Sequence, residues 1–310
     1  MWSKRRRRSR ARPVRTGSGF TGFSEAGDGH PYAGLRAVLA TKHDKLPLLA
    51  SPLRKAVGLE VFAAEVDTDL LGTFTPERKR RHSPLEAAIA KARMGMAETG
   101  EAIGIASEGS IGPDPDLPLL MSDREVVVLV DDLHGIVIQA WAQSFHVVAE
   151  SGAFRPGDDM DDFLARAGFP DHKLIVMPNR TGRRLRVVKG VGEPDVLRAA
   201  IAEFSGLSRD SLARVESDLR ANANPTRRAV IAEAAEALAR RVATRCPTCM
   251  APGWGEGQRW VVHRCVRCGA LEPRAEATWC CVACQATEMQ KSPEPPNPLC
   301  HACSQAELTA

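Results

Sequence analysis

The feature that most constrains this chain is a spacing of cysteines. Cys246, Cys249, Cys265 and Cys268 read C-x2-C-x15-C-x2-C, and after a gap of twelve residues Cys281, Cys284, Cys300 and Cys303 read C-x2-C-x15-C-x2-C again. A C-x2-C turn presents two thiolates to one ion, and two such turns complete the tetrahedral shell of a structural zinc site. Sulfur-only ligation leaves no open coordination position. The expectation is therefore two structural zinc ions in tandem ribbons over residues 244–303, with the spacing leaving open whether the knuckles pair within each repeat or in a nested arrangement. These segments are too short and too rich in Pro and Gly to be stable on cores of their own, so the metal contributes their folding free energy. Four thiolates also suit iron. The ninth cysteine, Cys280, stands beside Cys281 and reads as a spare thiol, and with four thiolates per unit neither His263 nor His301 is needed as a ligand.

Outside this region the chain is an ordinary candidate for a packed core, with 310 residues of which 44% are hydrophobic and 5% aromatic. A core built from Ala, Leu, Val and Ile suits a layered α/β protein. The formal charge of +4 comes from a tail: Lys4, Arg5, Arg6, Arg7, Arg8, Arg10, Arg12 and Arg15 account for it, and the body is slightly acidic. A broad electrostatic footprint for nucleic acid is thus excluded for the body, while the tail or the arginines and tryptophans of the cysteine region remain open to it. Trp254, Trp260 and Trp279 read more readily as small cores of the ribbons than as stacking platforms. Residues 1–29 have few groups to bury and read as a solvated extension or a start codon placed too early. No apolar run approaches a membrane span and no signal segment is visible, so a cytoplasmic protein is expected, with its cysteines reduced.

From residue 30 to about 243 the pattern alternates between strands and helices, as in one α/β domain, with residues 304–310 left as a tail. LRAVLA is strand-like, the polar loop Thr41–Lys45 follows, then a helical stretch to Val57 and the strand LEVFAAE. The clearest helix starts at Ser83, where Pro84 and Glu86 compose a capping box, and stops at Gly100. AIGIAS then predicts a strand ending at Ser107, with Glu108, Gly109 and Ser110 in the turn beyond it. EVVVLV, IVIQAW, KLIVMP and LRVVKG continue as strands, and an Ala-rich helix begins after Asn224.

Candidate chemical groups fall at element ends: Thr41, Lys42 and Lys45, Glu86 and Lys91, Glu108, Asp123, Asp131 and Asp132. Carboxylates with lysines alongside suit a Mg(2+)- or Mn(2+)-dependent phosphate reaction. Glu86 is equally a cap, Lys91 a surface lysine, and Asp131 with Asp132 a turn. Neither a P-loop nor a dinucleotide fingerprint is present.

ATKHDK, DTDLLGTF, SPLEAAIAKARMGM, GIASEGSIGP, SDLRANANPTR and CPTC together resemble an uncharacterised bacterial family, domain of unknown function 6671, from about Leu35 to Cys303. That resemblance implies architecture and no activity. A second one is to the inosine and xanthosine triphosphate pyrophosphatases, which carry A-T-x-N-x-x-K and E-N-A-x-x-K-A-R. Here Ala40, Thr41 and Lys45 match the first motif, and Glu86, Ala88, Lys91, Ala92 and Arg93 the second. His43 replaces the asparagine of the first motif, Lys45 comes one position early, and Ala87 replaces the asparagine of the second. The resemblance implies a three-layer α/β domain with a mixed central sheet, ahead of the tandem zinc ribbons. It makes Glu86 a magnesium ligand, Glu108 a metal ligand or the base that orients water, and Thr41, Lys42, Lys45 and Lys91 contacts to a nucleotide phosphate. The alternative is a non-enzymatic module that binds nucleotide, nucleic acid or protein.

Overall fold

A computed structural model describes residues 29–41, 45–64, 83–115, 117–180, 186–289, 299 and 303. Lys42, the basic tail before Gly29, Cys300 and His301 lie outside the described residues.

The first strand, β1 (Arg36–Ala40), leads through Thr41 and Lys45 into α1 (Leu46–Val57), which returns the chain to β2 (Glu60–Ala64) alongside β1. Gly58 ends α1 in the left-handed conformation, at φ 69°, and its N–H donates to the Arg54 carbonyl; glycine takes that conformation without the penalty of a Cβ. Next comes α2 (Pro84–Thr99) with the predicted capping box fully formed: Ser83 Oγ accepts from Glu86 N, and Ser83 N donates to the Glu86 carboxylate. β3 (Ile103–Pro113), β4 (Met121–Asp131) and β5 (Ile136–Ser144) complete a five-stranded sheet in the order β2-β1-β3-β4-β5. β1 pairs in parallel with β2 and β3, whereas β3, β4 and β5 form an antiparallel meander, so the sheet is mixed.

Alternation along these strands builds two cores on opposite faces. Leu39, Ile105, Val127, Leu129 and Ile138 pack with α1 residues Leu49 and Leu53, and with Ile231 and Leu238 of a helix from much later in the chain, α5 (Pro225–Ala243). Val38, Ala106, Val126, Val128 and Val130 pack under Ala88, Ala92 and Met96 of α2. Two helices, one sheet and one helix make three layers. Gly104 lets α2 approach closely: a Cβ there would lie 2.6 Å from Met96 Cγ and 2.8 Å from the Ala92 carbonyl oxygen.

Between β5 and α5 the chain builds a second sheet with its own core. β6 (Ser151–Phe154), β7 (Leu174–Pro178), β8 (Val188–Val191) and β9 (Ala213–Ser217) are antiparallel in the order β6-β9-β7-β8, with α3 (Asp161–Arg166) and α4 (Pro194–Gly206) supplying Phe163, Leu197, Ile201 and Phe204 to pack on Leu174, Val176 and Val215. The stretch that reads as one alternating series in the sequence thus contains two sheets, and α5 returns to the first. Among the described residues no helix is long and apolar enough to cross a membrane.

β3 corrects one sequence expectation. It does not stop at Ser107 but continues to Pro113, because the chain reverses only at Asp114–Leu120, where Pro115 and Pro118 sit. Glu108, Gly109 and Ser110 are therefore strand residues, paired with Val126, Glu125 and Arg124.

The cysteine region begins where α5 ends. A long hairpin of β10 (Gly255–Arg264) and β11 (Leu271–Cys280), followed by β12 (Thr287–Met289), forms a three-stranded sheet. The hairpin runs in register from Gly255↔Cys280 to Arg264↔Leu271, which at ~3.3 Å per residue spans about 30 Å.

Candidate functional site

Two arrangements of reactive side chains stand out, one on the mixed sheet and one in the cysteine region.

On the sheet, the extension of β3 decides which way its side chains leave. Ser107 follows Ile103 and Ile105 toward the α1 and α5 face, and Lys45, at the start of α1, donates to its Oγ at 2.9 Å. Glu108 follows Ala106 toward the α2 face, where Lys91 of α2 forms an ion pair with it. Lys45 and Lys91 consequently serve opposite faces. Glu86 stays at the exposed start of α2, where its carboxylate accepts from both the backbone N–H and the hydroxyl of Ser83. Thr41 lies just beyond β1, beside Ala64 at the end of β2.

The face shared by Lys45 and Ser107 also carries an acidic pair that the sequence reading only half identified. Asp123 and Glu125 alternate with Val127 and Leu129 on β4 and are buried, at 2% and 0% exposure. Glu125 Oε1 accepts from Arg227 Nε at 2.7 Å, and Arg227 Nη1 donates to the Leu219 carbonyl at 2.5 Å. Arg227 sits in the first turn of α5, set there by Asn224, whose side chain caps the helix by accepting from Arg227 N. The starts of α1 and α5 therefore both bear on this group, and helix starts favour negative charge.

Burial first, and then the neighbouring Glu125 carboxylate, push the Asp123 carboxyl up to about 7, against the opposing pull of Arg227 and Lys45. Burial holds Lys45 below its ordinary value, with Glu125 and Asp123 pulling it back and Arg227 lowering it further. Asp123 Oδ1 and Glu125 Oε2 have no hydrogen-bond partner among the described residues. The signal for this pair was legible: SDREVVVLVD places two acids on the stripe that otherwise carries core valine and leucine. Arg227 gave no signal, since it comes from a helix about a hundred residues away.

Asp131 and Asp132 resolve as a turn. Asp131 accepts from the backbone N–H groups of Leu133 and His134 and from the Tyr32 hydroxyl at 2.7 Å, and Asp132 pairs with Arg93.

In the cysteine region the structure overturns the tandem pairing. Cys246 and Cys249 meet Cys281 and Cys284, and Cys265 and Cys268 meet Cys303. The first knuckle pairs with the third, not with the second. The hairpin is the reason: its ten-residue strands separate the Cys265–Cys268 tip from Cys246 and Cys249, while returning Cys281 to its base. At the base, the Sγ atoms of Cys246 and Cys284 lie 3.8 Å apart and those of Cys249 and Cys281 3.6 Å apart. The amide of Thr248 donates to Cys246 Sγ, and the amides of Ala283 and Cys284 to Cys281 Sγ. Burial acts to raise the Cys246 thiol, but the amide donors of Cys249 and Thr248 outweigh it and bring it down to about 7.

Three knuckles share one backbone. In each, the amide of the first cysteine donates to the alanine five residues on: Cys246 to Ala251, Cys265 to Ala270, Cys281 to Ala286. The residue after the second cysteine is left-handed in each, at Met250, Gly269 and Gln285. The base cluster is seated on the α/β body, where Gly253 lies so close to Ile138 of β5 that a Cβ would come within 2.9 Å of it, and Arg241 of α5 donates to the Gln139 and Gly253 carbonyls. Trp254 and Trp279 pack beside it, their ring centres 6.5 Å apart, in agreement with the core reading of these tryptophans. Cys280 belongs to neither cysteine group and accepts from Arg241 at 3.8 Å.

With this geometry the family can be assigned. The family described as a domain of unknown function, DUF6671, matches residues 91–297. The chain belongs to it. No curated protein matches the chain. The DUF6671 span begins at Lys91, takes in β3 with Glu108, the Asp123–Glu125 pair, Arg227 and the first six of the eight spaced cysteines, and leaves the Lys45 and Glu86 segments before it.

Proposed function

We propose that this DUF6671 protein is a divalent-cation-dependent hydrolase of a nucleoside triphosphate or related phosphate ester, with a cysteine-bound structural appendage. The observation that carries this reading is the position of Lys45: a lysine at the start of α1, bonded to Ser107 and facing buried carboxylates and Arg227. A partly desolvated ammonium beside a helix start is suited to phosphate oxygens. The mixed three-layer sheet and the order of its elements support kinship with the triphosphate pyrophosphatases.

The residues fit a hard cation, since buried carboxylate oxygens remain without partners among the described residues. Such a cation supplies charge to neutralise phosphate oxygens and lowers the pKa of water bound to it. In this reading Lys45, with Thr41 and Lys42 in the adjoining loop, orients the phosphate chain. Glu108, held by Lys91, and Glu86 at the start of α2 belong to the α2 face, so the base and metal-ligand roles that the resemblance gives them fall in this reading to the carboxylates on the face of Lys45. Asp123 and Glu125 are the carboxylates in reach of Lys45.

The two cysteine groups are read as structural zinc sites. A tetrahedral ion with ~2.3 Å bonds to sulfur sets its ligands about 3.8 Å apart, which the base cluster matches, whereas a disulfide would need ~2.05 Å.

The test is a panel of standard and deaminated nucleoside triphosphates with Mg(2+) or Mn(2+), read separately for phosphate and pyrophosphate. Turnover that collapses in Asp123→Asn with the fold intact is expected, and the same collapse in Glu108→Gln would return the base to the α2 face. Absence of turnover across the panel, with no ligand-induced change in Tm, would contradict the reading. Binding without turnover would favour the non-enzymatic module. Glu86→Gln separates capping from chemistry: a cap alone predicts at most about 1 kcal/mol of lost stability and full activity.

A further inference from the structure

We infer that Asp123 and Glu125 form a divalent-cation site of the oxygen-liganded class, Mg(2+) or Mn(2+), on the α1 and α5 face of the sheet. The inference deepens the hydrolase reading by locating its cation, but cation binding itself does not require that any substrate be turned over.

The site is built by the backbone. Asp123 and Glu125 are two apart on β4, so both side chains leave on one face. The residue opposite Glu125 on β3 is Gly109. The Glu125 carboxylate lies over that glycine so closely that a Cβ on Gly109 would fall 2.1 Å from Glu125 Cδ. The glycine thus makes room for the carboxylate to lie across the strands. Arg227 then fixes it by holding Oε1 at 2.7 Å and leaves Oε2 for another partner.

An acidic pair alone would not point to a ligand. Here three buried side-chain oxygens lack a partner among the described residues, and two of them are Asp123 Oδ1 and Glu125 Oε2. A buried carboxylate oxygen without a donor carries a desolvation cost that cations bonded elsewhere offset only in part. A second carboxylate beside it adds like-charge repulsion. One cation between them removes both penalties, and it is the hard, oxygen-preferring ions that carboxylates select.

The neighbours agree in charge. Arg227 and Lys45 balance the two carboxylates, so an added cation leaves the group net positive and ready for an anionic ligand. Lys45, directed to Ser107 from the start of α1, is placed to meet that anion. Glu108 and Lys91 lie on the other face and already satisfy one another as an ion pair.

Mn(2+) binding to the full-length, zinc-loaded protein, followed by loss of the free-ion electron paramagnetic resonance signal, tests the site. Wild type is expected to bind Mn(2+) at micromolar to low millimolar concentration. Asp123→Asn and Glu125→Gln should each weaken binding at least tenfold, with Glu86→Gln and Glu108→Gln unchanged. Thermal unfolding of the same samples controls for the fold: Mn(2+) should raise the Tm of wild type and not that of Asp123→Asn. A variant that fails to fold is replaced by Gly109→Ser, which keeps both carboxylates yet displaces that of Glu125 by contact and should weaken binding as much. Binding that survives in Asp123→Asn and Glu125→Gln, or wild type that binds no Mn(2+) at millimolar concentration, would overturn the inference. Mn(2+) binding with no phosphate hydrolysis would keep the site and remove only the reaction.

Discussion

Ser107 and Glu108 are neighbours on β3, yet each bonds a lysine from a different helix on a different face of the sheet. Ser107 draws Lys45 from the start of α1 and Glu108 draws Lys91 from the middle of α2. This divides the phosphate-handling residues suggested by sequence into two groups separated by the thickness of the sheet.

The Lys91–Glu108 pair should behave as a partly desolvated ion pair, since its side chains are 21% and 10% exposed. Lys91→Met leaves a nearly buried carboxylate uncompensated and should cost about 3 kcal/mol, the lower end for a broken buried pair. Glu108→Gln combined with Lys91→Met should cost less than the sum of the single changes. Strict additivity in denaturant unfolding would show that the pair is not coupled in the folded protein.

Gly104 should resist substitution more than its place in a strand suggests. A methyl group there must displace Met96 or the α2 backbone at Ala92, and overpacking of this kind costs about 1–3 kcal/mol. Gly112 on the same strand has nothing within reach of an added Cβ, so Gly112→Ala is the control and should be close to neutral. Equal unfolding midpoints for the two alanine variants would contradict the close helix–sheet approach.

His30 connects the start of the described chain to the end of α5, with its ring against the Val242 carbonyl at 3.1 Å. Burial is the main cause that holds its pKa below the ordinary 6.5, assisted by Arg245 and opposed by the Val242 carbonyl. The unfolded chain therefore binds a proton more readily than the folded one, and stability falls as pH drops through and below 6.5. His30→Gln should flatten part of that slope when Tm is followed from pH 7.5 to 5. His172, also lowered by burial, should contribute a further part that survives the His30 change.

Much of the fold was legible locally. Ser83, Pro84, Glu86 and Gly100 announced the ends of α2, and short apolar runs rich in Val, Leu and Ile announced β1, β4 and β7. The extent of β3 was not legible, because Glu108, Gly109 and Ser110 have turn composition and only pairing with β4 keeps them extended. Nor was the split into two sheets, since alternating strands and helices look the same whether one sheet or two receives them. The cysteine spacing marked the thiols that cluster but not which knuckles pair. Equal x15 intervals look like two units, whereas the length of the β10–β11 hairpin determines which knuckles meet.

Cys280 and Cys265 should separate a neighbouring thiol from a ligand. Cys280→Ser alters one long contact from Arg241 and should leave metal content and Tm nearly unchanged. Cys265→Ser removes one thiol of the group at the hairpin tip and, with zinc bound there as proposed, should release one ion while the base cluster, seated against β5 and α5, keeps its own. Loss of both ions on changing Cys265 alone would contradict independent centres.

The pairing of the first knuckle with the third is read out by the metal content of a single variant. In Cys265→Ser/Cys268→Ser/Cys300→Ser/Cys303→Ser, the interleaved arrangement keeps Cys246, Cys249, Cys281 and Cys284 together as a complete set of four thiolates. Elemental analysis should then find one zinc per chain, and cobalt substitution should give the charge-transfer absorption of four sulfur ligands. Tandem pairing would leave two thiolates in each centre, and a variant that retains no tightly bound metal while its α/β body remains folded would contradict the interleaved account.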